Sequence, residues 1–138
     1  MKRLAIALIL AASPLFAFGD ATERVNAIRT AQGLSAIKVS RKLEKAAQAH
    51  ATDMIKRGFY SHTGANGSSP GKRARRAGYR WCIVAENIAK GQKSLAQVME
   101  DWRKSPSHHK NMTNRQMREY GLANAGDVWV MVLAARRC

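Results

Sequence analysis

The chain carries two cysteines, Cys82 and Cys138, and begins with a stretch whose residue order is expected to direct both of them out of the reducing cytoplasm. The first residues, MKRLAIALILAASPLFAFGDA, set Lys2 and Arg3 before an apolar run that ends in Ala17-Phe18-Gly19. That is the order of a secretory signal peptide, with cleavage expected after Gly19. A retained membrane anchor is the other reading. Residues 4–18 fall short of the roughly 20 apolar residues a spanning helix requires, and Pro14 interrupts them. In an oxidising compartment a lone pair of cysteines reads as one disulfide. It would tie residue 138 to the middle of the chain across 56 positions (138 minus 82). Two free thiols forming half a metal site would lack companion cysteines.

With residues 1–19 removed, residues 20–138 leave 119 positions, enough for one domain with a modest core and too few for two. No second transmembrane stretch is present, so no membrane anchor is expected after processing. The processed chain is expected to be a monomer. The leader holds two of the 24 basic residues and none of the nine acidic ones, so the formal charge of the remainder is 22 minus 9, or +13. Such a surface seeks polyanions: nucleic acid, anionic lipid or an acidic envelope polymer.

Hydrophobic spacing then divides the chain. Asp20 is placed to cap a helix carrying Val25, Ile28 and Ala31, with Gly33 to stop it. After a connector over 34–39, Ser40 opens a longer helix in which Leu43, Ala47, His50 and Met54 share a face and Gly58 ends the run. Residues 59–71, FYSHTGANGSSPG, read as an ordered irregular loop, and 72–78 as a short basic helix. Cys82-Ile83-Val84-Ala85 suggests a brief buried strand. Ser94 with Gln97 forms a capping-box pattern ahead of Leu95, Val98, Met99 and Trp102. Ser105-Pro106 starts another short helix. Residues 120–124 and 128–134 read as two strands of a hairpin joined by Asn124-Ala125-Gly126-Asp127.

The residues with chemical potential are His62 in the loop, Glu86 after the short strand, and His108 in the first turn of a helix. Their setting is more informative than any one of them. The strings FYSHTGANGSSPGKRARRAGY, AENIAKG, VMEDW and SPSHHKN occur in that order, followed by the strand VWVMVLA. In combination they resemble the short bacterial branch of the CAP superfamily, the group of cysteine-rich secretory proteins, antigen 5 and pathogenesis-related proteins. The resemblance covers roughly residues 20–135. It implies an α+β fold, an α-β-α sandwich with a small antiparallel sheet between helical layers, and a cavity lined by two histidines and acidic residues. His62, Glu86 and His108 fall on the loop histidine, the acid of the AEN motif and the second histidine. Many eukaryotic members carry a further glutamate, and Ser105 stands near its place here. His109 leaves open which adjacent histidine faces the cavity.

Two chemistries follow from such a site. Neutral His62 and His108 with a carboxylate suit zinc or a related divalent ion. Alternatively, Glu86 in a poorly hydrated cavity acts as a general acid on a glycosidic oxygen and needs no cofactor. Asp53 is then the nominee for a second carboxylate, Glu100 and Asp101 being read as lying off the packed face. Ser61 and Asn87, neighbours of the two motif residues, and Arg73 and Arg76 of the basic cluster are taken as substrate contacts. The leading expectation is a periplasmic or extracellular hydrolase of peptidoglycan glycan strands. The alternatives are a non-catalytic module binding lipid, metal or envelope polymer, and a secreted metal-dependent nuclease.

Overall fold

In the computed structural model, residues 15–138 are described, with side chains from Asp20 onward. The leader over 1–19 therefore lies largely outside the described residues. Helix α1 (Leu15–Thr30) runs straight through Asp20, which is not a cap. Residues 15–19, Gly19 among them, carry the helix upstream of it. The Asp20 carboxylate instead accepts from Nε of Arg24 one turn later, at 3.0 Å. Gly33, with φ of 68°, turns the chain after the helix, as expected.

The following connector contains a two-residue strand that spacing did not reveal, β1 (Lys38–Val39). It runs parallel to Glu119 and Tyr120 and is too short to show alternation. Ser40 precedes α2 (Arg41–Arg57), which buries Leu43, Ala46, Ala47, His50, Ala51 and Met54 and ends at Gly58 in the left-handed region. Helix α3 (Pro70–Arg76) starts at Ser69, whose side chain accepts from the Lys72 N–H. Strand β2 (Ile83–Lys90) is twice as long as the apolar run suggested, because Glu86 and Asn87 continue it. Helices α4 (Leu95–Lys104) and α5 (Pro106–Met112) come next. Ser94 Oγ accepts from the Gln97 N–H at 3.1 Å, while Gln97 Oε1 caps the Lys93 N–H at 2.8 Å, a capping box shifted by one residue. Strands β3 (Glu119–Ala125) and β4 (Val128–Ala135) form the expected hairpin.

The sheet order is β1-β3-β4-β2, with β2 at one edge. Because β1 joins in parallel, the sheet is mixed rather than wholly antiparallel. Strand alternation separates two cores. Tyr120, Leu122, Met131 and Leu133 pack with Val25 of α1, Trp102 of α4 and Met112 of α5. Ala123, Val130, Val132 and Ala134 pack on the other face with Leu43, Ala47 and Met54 of α2 and Ala74 of α3. This is the α-β-α sandwich. Gly121 lets α2 approach β3 closely: a Cβ there would fall on the backbone of Leu43 and Glu44. Cys82 and Cys138 are bonded, with Cα atoms 5.8 Å apart, so the last residue is fixed beside the start of β2.

Candidate functional site

The alternation of β2 sends Val84, Glu86 and Ile88 toward the α2–α3 layer, and Asn87 with Ala85 and Ala89 toward the opposite one. The Glu86 side chain is 1% exposed and both of its oxygens are engaged. Oε2 accepts from Nη2 of Arg73 at 2.8 Å, and Oε1 accepts from Nδ1 of His62 at 2.8 Å. Nε2 of His50 lies 3.8 Å from the same Oε1. Glu86 thus sits inside a strand rather than beyond one, as an ion-paired acceptor behind the surface.

Arg73, expected to contact substrate, is 6% exposed because it serves the interior. Besides Glu86, its guanidinium donates to the carbonyls of Ser68 at 2.7 Å and His62 at 2.9 Å, pinning both ends of the loop that carries His62. Asn87, also expected at the substrate, is fully buried on the other side of the sheet. It donates to the His108 carbonyl at 3.1 Å and accepts from Asn111 at 2.8 Å, so it anchors α5. Ser61 and Arg76 remain exposed. Ser61 also offers its carbonyl to His50 Nε2 at 2.7 Å.

His62 is the member of this group that meets solvent, its side chain 54% exposed. A carboxylate can only accept, so Nδ1 carries a proton in the His62–Glu86 bond and Nε2 is left free of it to take up or release a second proton. His108 lies on α5, held by a 2.9 Å bond between its Nδ1 and Ser105 Oγ, its ring tilted against Trp102 at a centroid distance of 6.3 Å. Desolvation lowers the His108 pKa, and the charge of His62 lowers it further. His108, not His109, lines a cavity of about 310 Å³ together with Tyr60, Asp101, Trp102 and Ser105. His62 bonds Glu86 at the outer edge strand, and His108 stands on the opposite helical layer, close enough for the His62 charge to act on it; neither His62 nor Glu86 is among the residues lining the His108 cavity.

The nominated second carboxylate is otherwise employed. Asp53 pairs with Nε of Arg57 at 2.9 Å and accepts from the Ala65 N–H at 3.0 Å, holding the loop. The acidic side chain that does line the His108 cavity is Asp101, which sequence reading set aside. It is exposed, and it accepts from Gln92 at 3.0 Å. His50 was also missed as a site residue. Its helical spacing with Leu43 and Met54 was the available signal, yet that pattern reads equally as core. Its pKa is lowered by burial first, with Glu86 opposing and Arg73 reinforcing the effect.

A resident divalent ion does not fit this donor set. The Glu86 oxygens are taken by Arg73 and His62, which leaves only Nε2 of His62 and of His108 among the nominated ligands, fewer than the three or four protein donors of a resident ion. Among the described residues no three His, Cys, Asp or Glu side chains come together as ligands.

Comparison with known proteins agrees with this architecture. The protein YkwD of Bacillus subtilis (strain 168) is 32% identical over 109 residues, which are 78% of this chain and 42% of that protein. The chain thus spans less than half the length of the curated relative it matches. An extracellular protein containing an SCP domain from Bacillus anthracis shares the fold with a TM-score of 0.83. Its identity is 21%, over 90% of this chain and 41% of its own. An outer surface protein of Borrelia burgdorferi does so with a TM-score of 0.80 at 20% identity, over 91% of this chain and 97% of its own. The family model of the cysteine-rich secretory proteins matches residues 22–129. With that match running through both layers and the whole histidine–glutamate edge, this chain belongs to the cysteine-rich secretory protein family, the CAP family.

Proposed function

We propose that this chain is a secreted cell-envelope CAP domain that cleaves peptidoglycan glycan strands, with His62 rather than Glu86 as the proton carrier. The observation behind this assignment is the contrast in exposure along one hydrogen bond. Glu86 is 1% exposed and bonded on both oxygens, whereas His62, bonded to it, is 54% exposed. A buried carboxylate behind an imidazole fixes its tautomer and compensates the charge it carries when protonated. The His62 ring, protonated at Nε2, gives that proton to the leaving glycosidic oxygen. Water then adds to the anomeric carbon and its proton returns to His62. His108 and Tyr60 flank the cavity where a sugar ring would lie.

An envelope location accords with relatives described as extracellular and outer surface proteins. Among the described residues no helix is long and apolar enough to cross a membrane. Lys72, Arg75, Arg76 and Arg80 are exposed and suit a carboxylate-bearing polymer such as peptidoglycan.

The test is incubation of the protein with purified peptidoglycan and, separately, with DNA, each with and without chelator, followed by mass analysis of products. Chelator-insensitive release of glycan fragments is expected, with His62→Gln slower by about 100-fold or more. Absence of glycan fragments from every peptidoglycan tried would overturn the proposal in favour of a binding module. Chelator-sensitive cleavage of DNA would replace it with a nuclease.

A further inference from the structure

A second cavity, of about 380 Å³, shares His50 and Arg73 with the site but opens between α2, α3 and the loop over 64–68. Its wall is strongly cationic: Lys45, Arg57, Arg73 and Arg76 line it, against Asp53 as the one acidic residue of the lining. Asp53 is matched by Arg57, and Glu86, behind the wall, is matched by Arg73. Four cations minus these two carboxylates leave an excess of two positive charges. His50 adds no charge in its neutral form.

One donor of the lining is also unsatisfied: Nε of Arg73, on a residue that is 6% exposed, has no hydrogen-bond partner within the protein. A buried guanidinium N–H without a partner is uncommon, and this one belongs to the wall of the basic cavity. His50 gives its Nε2 proton to the Ser61 carbonyl, so its Nδ1 is an acceptor and contributes nothing to an anion.

We infer that this cavity is a binding site for a phosphate or phosphate-ester dianion. The charge excess matches a dianion rather than a single carboxylate. The donors come from two helices, so they surround a tetrahedral group instead of facing one edge of a planar one. Arginine suits the task, since its planar fork of donors pairs with phosphate oxygens in bidentate fashion. The volume lies at the lower end of the roughly 300–1,000 Å³ usual for small-molecule sites, leaving room for a sugar-sized substituent on the phosphate. Three of its cations, Lys45, Arg57 and Arg76, make no hydrogen bond to His62 or Glu86 among the described residues, so anion binding there can be tested apart from glycan cleavage.

Titration of the protein with inorganic phosphate, and in a parallel arm with glycerol phosphate, tests this by amide chemical shifts and calorimetry at constant ionic strength held with chloride. Saturable shifts are expected at Lys45, Ala49, Ala65 and Ser68. The variant Arg57→Gln/Arg76→Gln should weaken binding about tenfold or more, the scale of lost charge-assisted hydrogen bonds. Arg80→Gln, an exposed cation outside the cavity, should leave it unchanged, and melting temperatures check that all variants are folded. Tighter binding of glycerol phosphate than of phosphate identifies the ester as the natural form, and the reverse identifies the free ion. Phosphate-induced shifts no larger than those from chloride, or equal weakening by Arg80→Gln, would refute the site.

Discussion

Replacing Glu86 with glutamine should destabilise the protein severely, although the change is nearly isosteric. Glu86 and Arg73 form an ion pair whose side chains are 1% and 6% exposed. Removing one charge leaves the other buried without compensation, which costs about 3–5 kcal/mol. Glutamine keeps an acceptor for one of the two guanidinium and imidazole donors, so about 3 kcal/mol is the expected figure. For a domain of this size each kcal/mol lowers the melting temperature by about 4 °C, giving a fall of about 12 °C. Calorimetry, with urea unfolding followed by fluorescence of buried Trp102, reads this directly. A double-mutant cycle sharpens the test. Glu86→Leu combined with Arg73→Met removes both charges together, so its cost should undercut the sum of the single costs by about 2 kcal/mol or more. A Glu86→Gln protein melting within about 2 °C of the parent, or a cycle additive to about 0.5 kcal/mol, would show that the pair is not the buried charge pair described. The same reasoning fixes how activity must be compared: only at temperatures where the variant is fully folded.

Two further outcomes follow from the geometry. The Cys82–Cys138 bond closes a loop of 56 positions, so Cys138→Ser should cost up to about 4 kcal/mol on the chain-entropy model, and native material should take up no thiol label before reduction. Quantitative labelling of both cysteines in unreduced protein would contradict the bond. His50 and His108 both have folded pKa values below the ordinary 6.5, from burial in each case first. The unfolded chain therefore takes up protons before the folded one, and stability present above pH 6.5 is lost as pH falls below it. The urea midpoint should drop between pH 7.5 and pH 5.5, and His50→Gln should shallow that slope; a midpoint that holds or rises on acidification would count against neutral, buried imidazoles.

The order of elements and most of their ends are written in short-range signals. Apolar residues three and four apart announce α2 and α4, Gly58 stops the former and Ser94 starts the latter, and Gly126 turns the β3–β4 hairpin. The cysteine pair follows from compartment and arithmetic, and His62, Glu86 and His108 stand out through the motifs around them. What no spacing conveys is which group each side chain meets across the sandwich. Glu86 and Asn87 are adjacent in sequence, yet strand alternation turns one toward Arg73 and the other toward α5. Arg73 looks like one cation of a solvated cluster until the fold places its guanidinium between the Glu86 carboxylate and two loop carbonyls. His50 looks like a core position until α2 lays it 3.8 Å from that carboxylate. Periodicity depends on the local backbone and survives in one dimension, so the sequence by itself determined the longer helices with their buried faces, the β3–β4 hairpin and the family, whereas β1 and the second half of β2 emerged only in the sheet. Partners 13, 24 and 36 positions from Glu86 are brought together only by the docking of α2 and α3 on the sheet. Tertiary structure therefore decided that Glu86 is a buried, charge-paired support and that His62 is the group facing solvent.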